Sequence, residues 1–174
     1  MRFHETAIDI VRVVEFQPVG DERGTFERVY CDAEFERAGI AMTIVQANLS
    51  RNRDAFTLRG LHFQDAPYEE AKLVRCQRGR LFDVAVDARP DSPTYLQWFG
   101  IELSANGREA LYLGPGTAHG YMTLEADSEL NYSVSARYTP SHERGFRWND
   151  PKICIAWPAE PQLISDRDRN HPLL

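Results

Sequence analysis

Long apolar runs are missing from this sequence. None approaches the roughly 18 residues of a membrane-spanning helix, so no membrane anchor is expected. The first ten residues, MRFHETAIDI, hold neither an extended apolar segment nor a small-residue cleavage site, so no signal peptide is expected either. Basic residues are in deficit: Lys plus Arg number 20 against 26 Asp plus Glu, a net charge of −6. A nucleic-acid partner would need a basic excess on one face, and the composition argues against one. Cysteine is scarce. Cys31, Cys76 and Cys154 are odd in number and show no CxxC spacing. They read as free thiols of a reducing compartment, the cytoplasm. There is no internal repeat, low-complexity tract or linker, so residues 1–174 are expected to form one domain.

What is present is a series of short β-type runs between turn signals. VRVVEF (11–16), TIVQANLS (43–50), FTLRGLHFQ (56–64), AKLVRCQ (71–77), LFDVAVD (81–87), YLQWFGIEL (95–103), ALYLG (110–114) and SELNYSVSARY (128–138) follow one another at regular spacing. That pattern predicts an all-β sandwich or barrel. With 43% hydrophobic residues the chain can bury a sizeable core. Two short helices are expected. One is DAEFERAGI (32–40), with Asp32 as N-cap and Gly39 as terminator; the other is SDRDRN near the C-terminus.

Polar residues interrupt the strands where apolar ones would serve. In LRGLHFQ (58–64), simple pleating points Leu58, Gly60, His62 and Gln64 one way and Arg59, Leu61 and Phe63 the other. A bulge at Gly60 would bring Arg59 and His62 to one side. In LFDVAVD, Asp83 and Asp87 share a face with Leu81 and Ala85, which suggests that this face lines something wet. His62 alone fits a buried histidine satisfied by a carbonyl as well as a reactive one. Lys72, Asp83, His119 and Tyr132 on other strands favour a site, because buried polar groups are costly without partners or a purpose. GPGTAHGY (114–121) is similar to the second motif of the cupin superfamily, with His119 at the metal-ligand position and Gly114 where that motif has proline. The first cupin motif needs His-x-His, and here it reads His62-Phe63-Gln64. Two histidines fall short of the three ligands that a catalytic metal commonly takes, so no metal is expected. Arg23, Arg59, Lys72 and Arg167 are suited to a diphosphate.

Taken together and in order, DERGTF, VQANLS, LRGLHFQ, KLVRCQRGRLFDVAVDAR, SPTY, ELSANGREALYLGPGTAHGYMTL, NYSVSARYTPSHERGFRWNDP, IAWP and ISDRD resemble the dTDP-4-dehydrorhamnose 3,5-epimerase family of deoxysugar biosynthesis. The resemblance covers the chain from about residue 20 onward. It implies a cupin-type jelly roll without metal or other cofactor, assembled as a homodimer. The implied substrate is a nucleotide-linked 4-keto-6-deoxyhexose. The implied reaction removes the protons beside the C4 ketone, at C3 and C5, and returns them on the opposite face. By this resemblance His62 is the base, Asp168 orients it, Tyr132 is the acid on the other face, and Lys72 stands near the keto oxygen. Arg23, Phe26, Gln46, Asn48, Arg59, His119, Tyr138, Glu143 and Arg167 match substrate or nucleotide contacts.

One position departs from the pattern. The family commonly reads Arg-Gly-x-Phe-x-Glu; here Arg23-Gly24-Thr25-Phe26-Glu27 is followed by Arg28. A donor replaces an acceptor, from which altered nucleotide recognition is expected. Epimerisation at a single carbon, a ketoisomerase on another nucleotide-linked keto sugar, and a non-catalytic sugar-nucleotide-binding cupin are the alternatives.

Overall fold

Alternation along the strands sorts side chains between a shared interior and two outer faces. The computed structural model describes residues 1–174. One sheet runs, in spatial order, β1 (Arg2–Glu5), β2 (Val11–Glu15), β10 (Glu109–Leu113), β7 (Lys72–Arg78), β12 (Ser128–Val134) and β5 (Gln46–Asn52). The other runs β13 (Glu143–Gly145), β6 (Thr57–Gln64), β11 (Thr117–Thr123), β8 (Arg80–Asp87) and β9 (Trp98–Ser104), with β14 (Leu163–Ile164) parallel to β6. A separate hairpin joins β3 (Val19–Asp21) to β4 (Gly24–Phe26). The all-β jelly-roll expectation is met.

Between the sheets, Val74, Cys76, Leu111, Leu113 and Leu130 meet Leu81, Ala85, Leu103 and Tyr121. Each fully buried leucine contributes roughly 1.5–3 kcal/mol. The outer faces are covered as well. Helix α1 (Asp32–Arg37) lays Phe35 on Val14, Leu73, Ala110 and Tyr112 of the first sheet. The chain after β13 packs Phe146 and Ile153 on Leu61, Val84, Val86 and Ala118 of the second.

Details differ from the sequence expectation. Asp32 is not the N-cap: Cys31 holds that position, and Asp32 Oδ1 instead accepts from the Ala33 amide at 2.7 Å. Gly39 does end the helix. With φ at +75°, it lets its own amide reach Glu36 O and that of Ile40 reach Phe35 O, both at 2.9 Å. Strand β11 was hidden because Pro115 and Gly116 before it and Gly120 within it read as turn signals. Asp87 faces nothing wet. It is fully buried and accepts bonds from Arg89, Ser92 and Thr94, closing the turn after β8.

The register of β6 against β11 shows the expected bulge. His62 pairs with His119 but Arg59 pairs with Tyr121, so β6 carries one residue more than β11 over this stretch. Leu61 therefore turns outward into the core, while Arg59 and His62 both turn inward. Gly60 makes this possible. Its φ is +109°, and a Cβ there would stand 2.6 Å from both Gly120 Cα and His119 O.

Candidate active site

A cavity of about 730 Å³ opens between the sheets, within the range of small-molecule sites. One wall comes from β6 and β11, the facing wall from β5, β7 and β12, and the mouth from the segments around Tyr138, β13 and helix α2 (Asp166–Arg169). Eleven of the residues expected from the sequence line it: Gln46, Asn48, Arg59, His62, Lys72, His119, Tyr132, Tyr138, Glu143, Arg167 and Asp168. Arg23 and Phe26 do not. They sit on the exposed β3–β4 hairpin, away from the cavity of their own chain. Arg28 is also outside, its guanidinium 2.8 Å from Glu34 Oε1. Its neighbour Glu27 is paired with Arg75.

His62 and Asp168 form a dyad. Nε2 of His62 lies 2.7 Å from Asp168 Oδ1, and the Gly60 amide donates to Oδ2 at 3.1 Å. Ser165 caps α2 by accepting from the Asp168 amide at 3.1 Å, which fixes the carboxylate from behind. Burial works to raise the Asp168 pKa. The His62 bond, the His62 charge and the Gly60 amide outweigh it and hold the carboxyl below its usual value. The bond to Asp168 selects the His62 tautomer protonated on Nε2 and leaves the Nδ1 lone pair for a ligand.

Lys72 reaches in from β7. Its Nζ donates to His62 O at 3.2 Å and pairs with Glu70 Oε1 at 3.0 Å. Gln64, two residues beyond His62, donates to Glu70 Oε2 at 2.5 Å, so its amide orients the carboxylate that holds Lys72. Tyr132 stands on β12 in the facing sheet, paired with Val74 and Asn48. Burial raises its phenol pKa, so the hydroxyl stays protonated at neutral pH.

The remaining groups form two polar clusters. Arg59 Nε donates to Asn52 Oδ1 at 2.8 Å, beside Tyr121, whose hydroxyl donates to Ser50 at 2.7 Å. At the mouth Arg167 pairs with Glu143 at 2.6 Å, and Tyr138 donates to the same carboxylate. Burial opposes ionisation of Glu143, but these two bonds prevail and lower its pKa. His119 is not aimed at His62 as a metal partner. Its Nε2 lies 3.0 Å from both oxygens of fully buried Asp83. Sequence reading missed Glu70, Ser50 and Tyr121, which line the cavity; His171 lies outside the lining, its ring edge-on to that of His62. Only Glu70 carried a signal, two residues from Lys72.

These features have counterparts in known proteins. The dTDP-4-dehydrorhamnose 3,5-epimerase family profile matches residues 5–174. The chain belongs to this family. The dTDP-4-dehydrorhamnose 3,5-epimerase of Sinorhizobium fredii is 42% identical over 175 residues, covering 100% of this chain and 90% of the relative. Among solved structures, the Bacillus anthracis epimerase with TDP and pyrophosphate bound superposes with a TM-score of 0.95 at 39% identity, covering 99% of each chain. The Legionella pneumophila epimerase in complex with dTDP-4-keto-L-rhamnose gives 0.92 at 36% identity, covering 99% of this chain and 92% of that one. Both solved relatives thus share the sandwich with this protein over nearly its whole length.

Proposed function

We propose that this protein is an isomerase that inverts C3 and C5 of dTDP-4-keto-6-deoxyglucose by proton removal and return. The observation that supports the proposal is an imidazole and a phenol on opposite walls of one cavity, suited to act as base and acid. His62, on β6, is oriented by Asp168; Tyr132, on β12, stands in the facing sheet. Nδ1 of His62 takes the proton beside the ketone. The electron pair moves onto O4, where the Lys72 ammonium stabilises the developing enolate. Tyr132 gives its proton to the other face of the same carbon as the carbonyl reforms. Solvent then reprotonates the phenolate and removes the proton from the imidazolium, which Asp168 stabilises meanwhile. No metal or other cofactor is required by these steps. A binding module would need no such acid and base pair, and a ketoisomerase would need one base to serve two adjacent carbons.

The sites of Arg23 and Phe26 extend the proposal to a homodimer. Phe26 is 75% exposed on a hairpin that belongs to neither sheet, and Arg23 is engaged only by Asp21 of the same turn. In a two-fold pair this hairpin would complete the nucleotide end of the partner's cavity. No helix is long and apolar enough to cross a membrane, and the three free cysteines fit the cytoplasm. The test is proton NMR of dTDP-4-keto-6-deoxyglucose in heavy water with catalytic enzyme. Deuterium at both C3 and C5 with inversion supports the reading; label at one carbon reduces it to a mono-epimerase, and none removes it.

A further inference from the structure

The C-terminal segment brings to the dyad a residue that these epimerisation steps leave unused. His171 follows the end of α2, with its ring centroid 5.9 Å from that of His62 and the planes at 67°. Its main chain is fixed. The His171 carbonyl accepts from Arg147 Nε at 2.6 Å, and the Leu174 amide donates to buried Asp150 at 2.8 Å. Its side chain packs on Gly145 but makes no such bond: Nε2 is buried and has no hydrogen-bond partner, an arrangement that costs stability. One ring nitrogen of His62, one of His171 and an oxygen of Asp168 all lie within 4.8 Å of one another. Two imidazoles and one carboxylate are a donor set suited to zinc-class ions, which need ligands at about 2.0–2.2 Å. Small side-chain movements would close the triangle that far.

We propose that His62, Asp168 and His171 form an inhibitory site for a divalent transition-metal ion of the zinc class. Inhibition follows from the tautomer. Asp168 holds the single proton of neutral His62 on Nε2 and leaves Nδ1 free to accept. An ion on Nε2 takes up the lone pair of that nitrogen and drives the proton to Nδ1, the atom that would receive the sugar's proton. Asp168, turned to the ion, no longer orients the ring. The base is lost while Arg59 and the far end of the cavity are untouched.

The inhibitory consequence rests on the proposed epimerase activity; the metal binding does not. Zn²⁺ is titrated by calorimetry into chelator-stripped, substrate-free wild type, His171→Ala and His171→Asn, and turnover is then measured with and without Zn²⁺. Wild type should bind one Zn²⁺ per chain and lose turnover. Loss of even a supporting partner weakens metal sites by about 10–100-fold, so both variants should bind Zn²⁺ at least about tenfold more weakly. They should keep their turnover in chelator and resist the ion by the same factor. Equal Zn²⁺ affinity in wild type and both variants overturns the site. So does a wild type that binds no Zn²⁺, whatever the activity assay shows. Tight binding that leaves turnover unchanged overturns the inhibition.

Discussion

Asp168 holds Gly60 with one oxygen and His62 with the other, at 3.1 Å and 2.7 Å. A single carboxylate thus fixes the bulge in β6 and the imidazole that the bulge turns inward. Backbone distortion and the orientation of the proposed base are anchored at one point.

His62→Asn keeps a hydrogen-bonding side chain but removes the base. Solvent deuterium entry at C3 and C5 should fall by about 10²–10⁴-fold, with dTDP affinity by calorimetry nearly unchanged. Exchange at the wild-type rate would make His62 a core histidine held by Asp168.

Tyr132→Phe should separate exchange from inversion. His62 can still remove a proton and return it to the same face, so label enters the sugar while net epimerisation falls much further. Comparing the two rates in one NMR sample decides it. Equal losses would make Tyr132 a positioning group.

Gly60→Ala should be among the most damaging single changes. The added Cβ meets main-chain atoms of His119 and Gly120 at 2.6 Å, and φ at +109° is hostile to a side chain. The expected loss exceeds about 4 kcal/mol, read as failure to fold or a large fall in Tm. Gly39→Ala serves as the comparison: it shares the positive φ, but nothing lies within 4 Å of its Cβ, so its cost should be smaller.

Acid should destabilise the fold through Asp87 and Asp168. Burial raises the pKa of each, but hydrogen bonds outweigh it: those of Arg89, Ser92 and Thr94 for Asp87, and chiefly that of His62 for Asp168. A folded pKa below the unfolded value, about 3.9, stabilises the protein above that value. The benefit is lost as pH falls through the folded pKa. Tm measured against pH should drop steeply below about pH 4, and less steeply in Asp87→Asn, which starts from a lower plateau. Parallel curves would show that Asp87 does not drive the acid limb.

Arg28 should prove indifferent to the nucleotide. A guanidinium engaged by Glu34, which also receives the N-terminal ammonium, is not free to read a base. Arg28→Ala should leave the ratio of dTDP to UDP and GDP affinities unchanged by calorimetry. A shift in that ratio would restore the specificity role that its place in the sequence suggests.

The interior strands were legible because β-branched and aromatic runs alternate with turn residues, and the motif spacing carried eleven cavity residues to their places. Three things were not. A bulge at Gly60 could be anticipated, but its positive φ and the close contact with Gly120 depend on a pairing partner nearly 60 positions away, which periodicity cannot show. The β3–β4 hairpin and β14 are too short to leave an alternation. Glu70 and His171 lie outside the regular strands and helices, and their roles come only from what the rest of the fold brings beside them.

The dyad also has a bearing on how the chain folds. His62 and Asp168 are 106 positions apart, and the contact needs β6, its bulge and the capped turn of α2 all in place. Contacts of such sequence separation form late, because loop closure costs entropy before they return any stabilisation. A refolding population with much of its sheet structure restored should therefore have no turnover. Activity regained with time should follow completion of the whole sandwich, which makes the enzyme assay a stricter clock of folding than any spectroscopic signal from its strands.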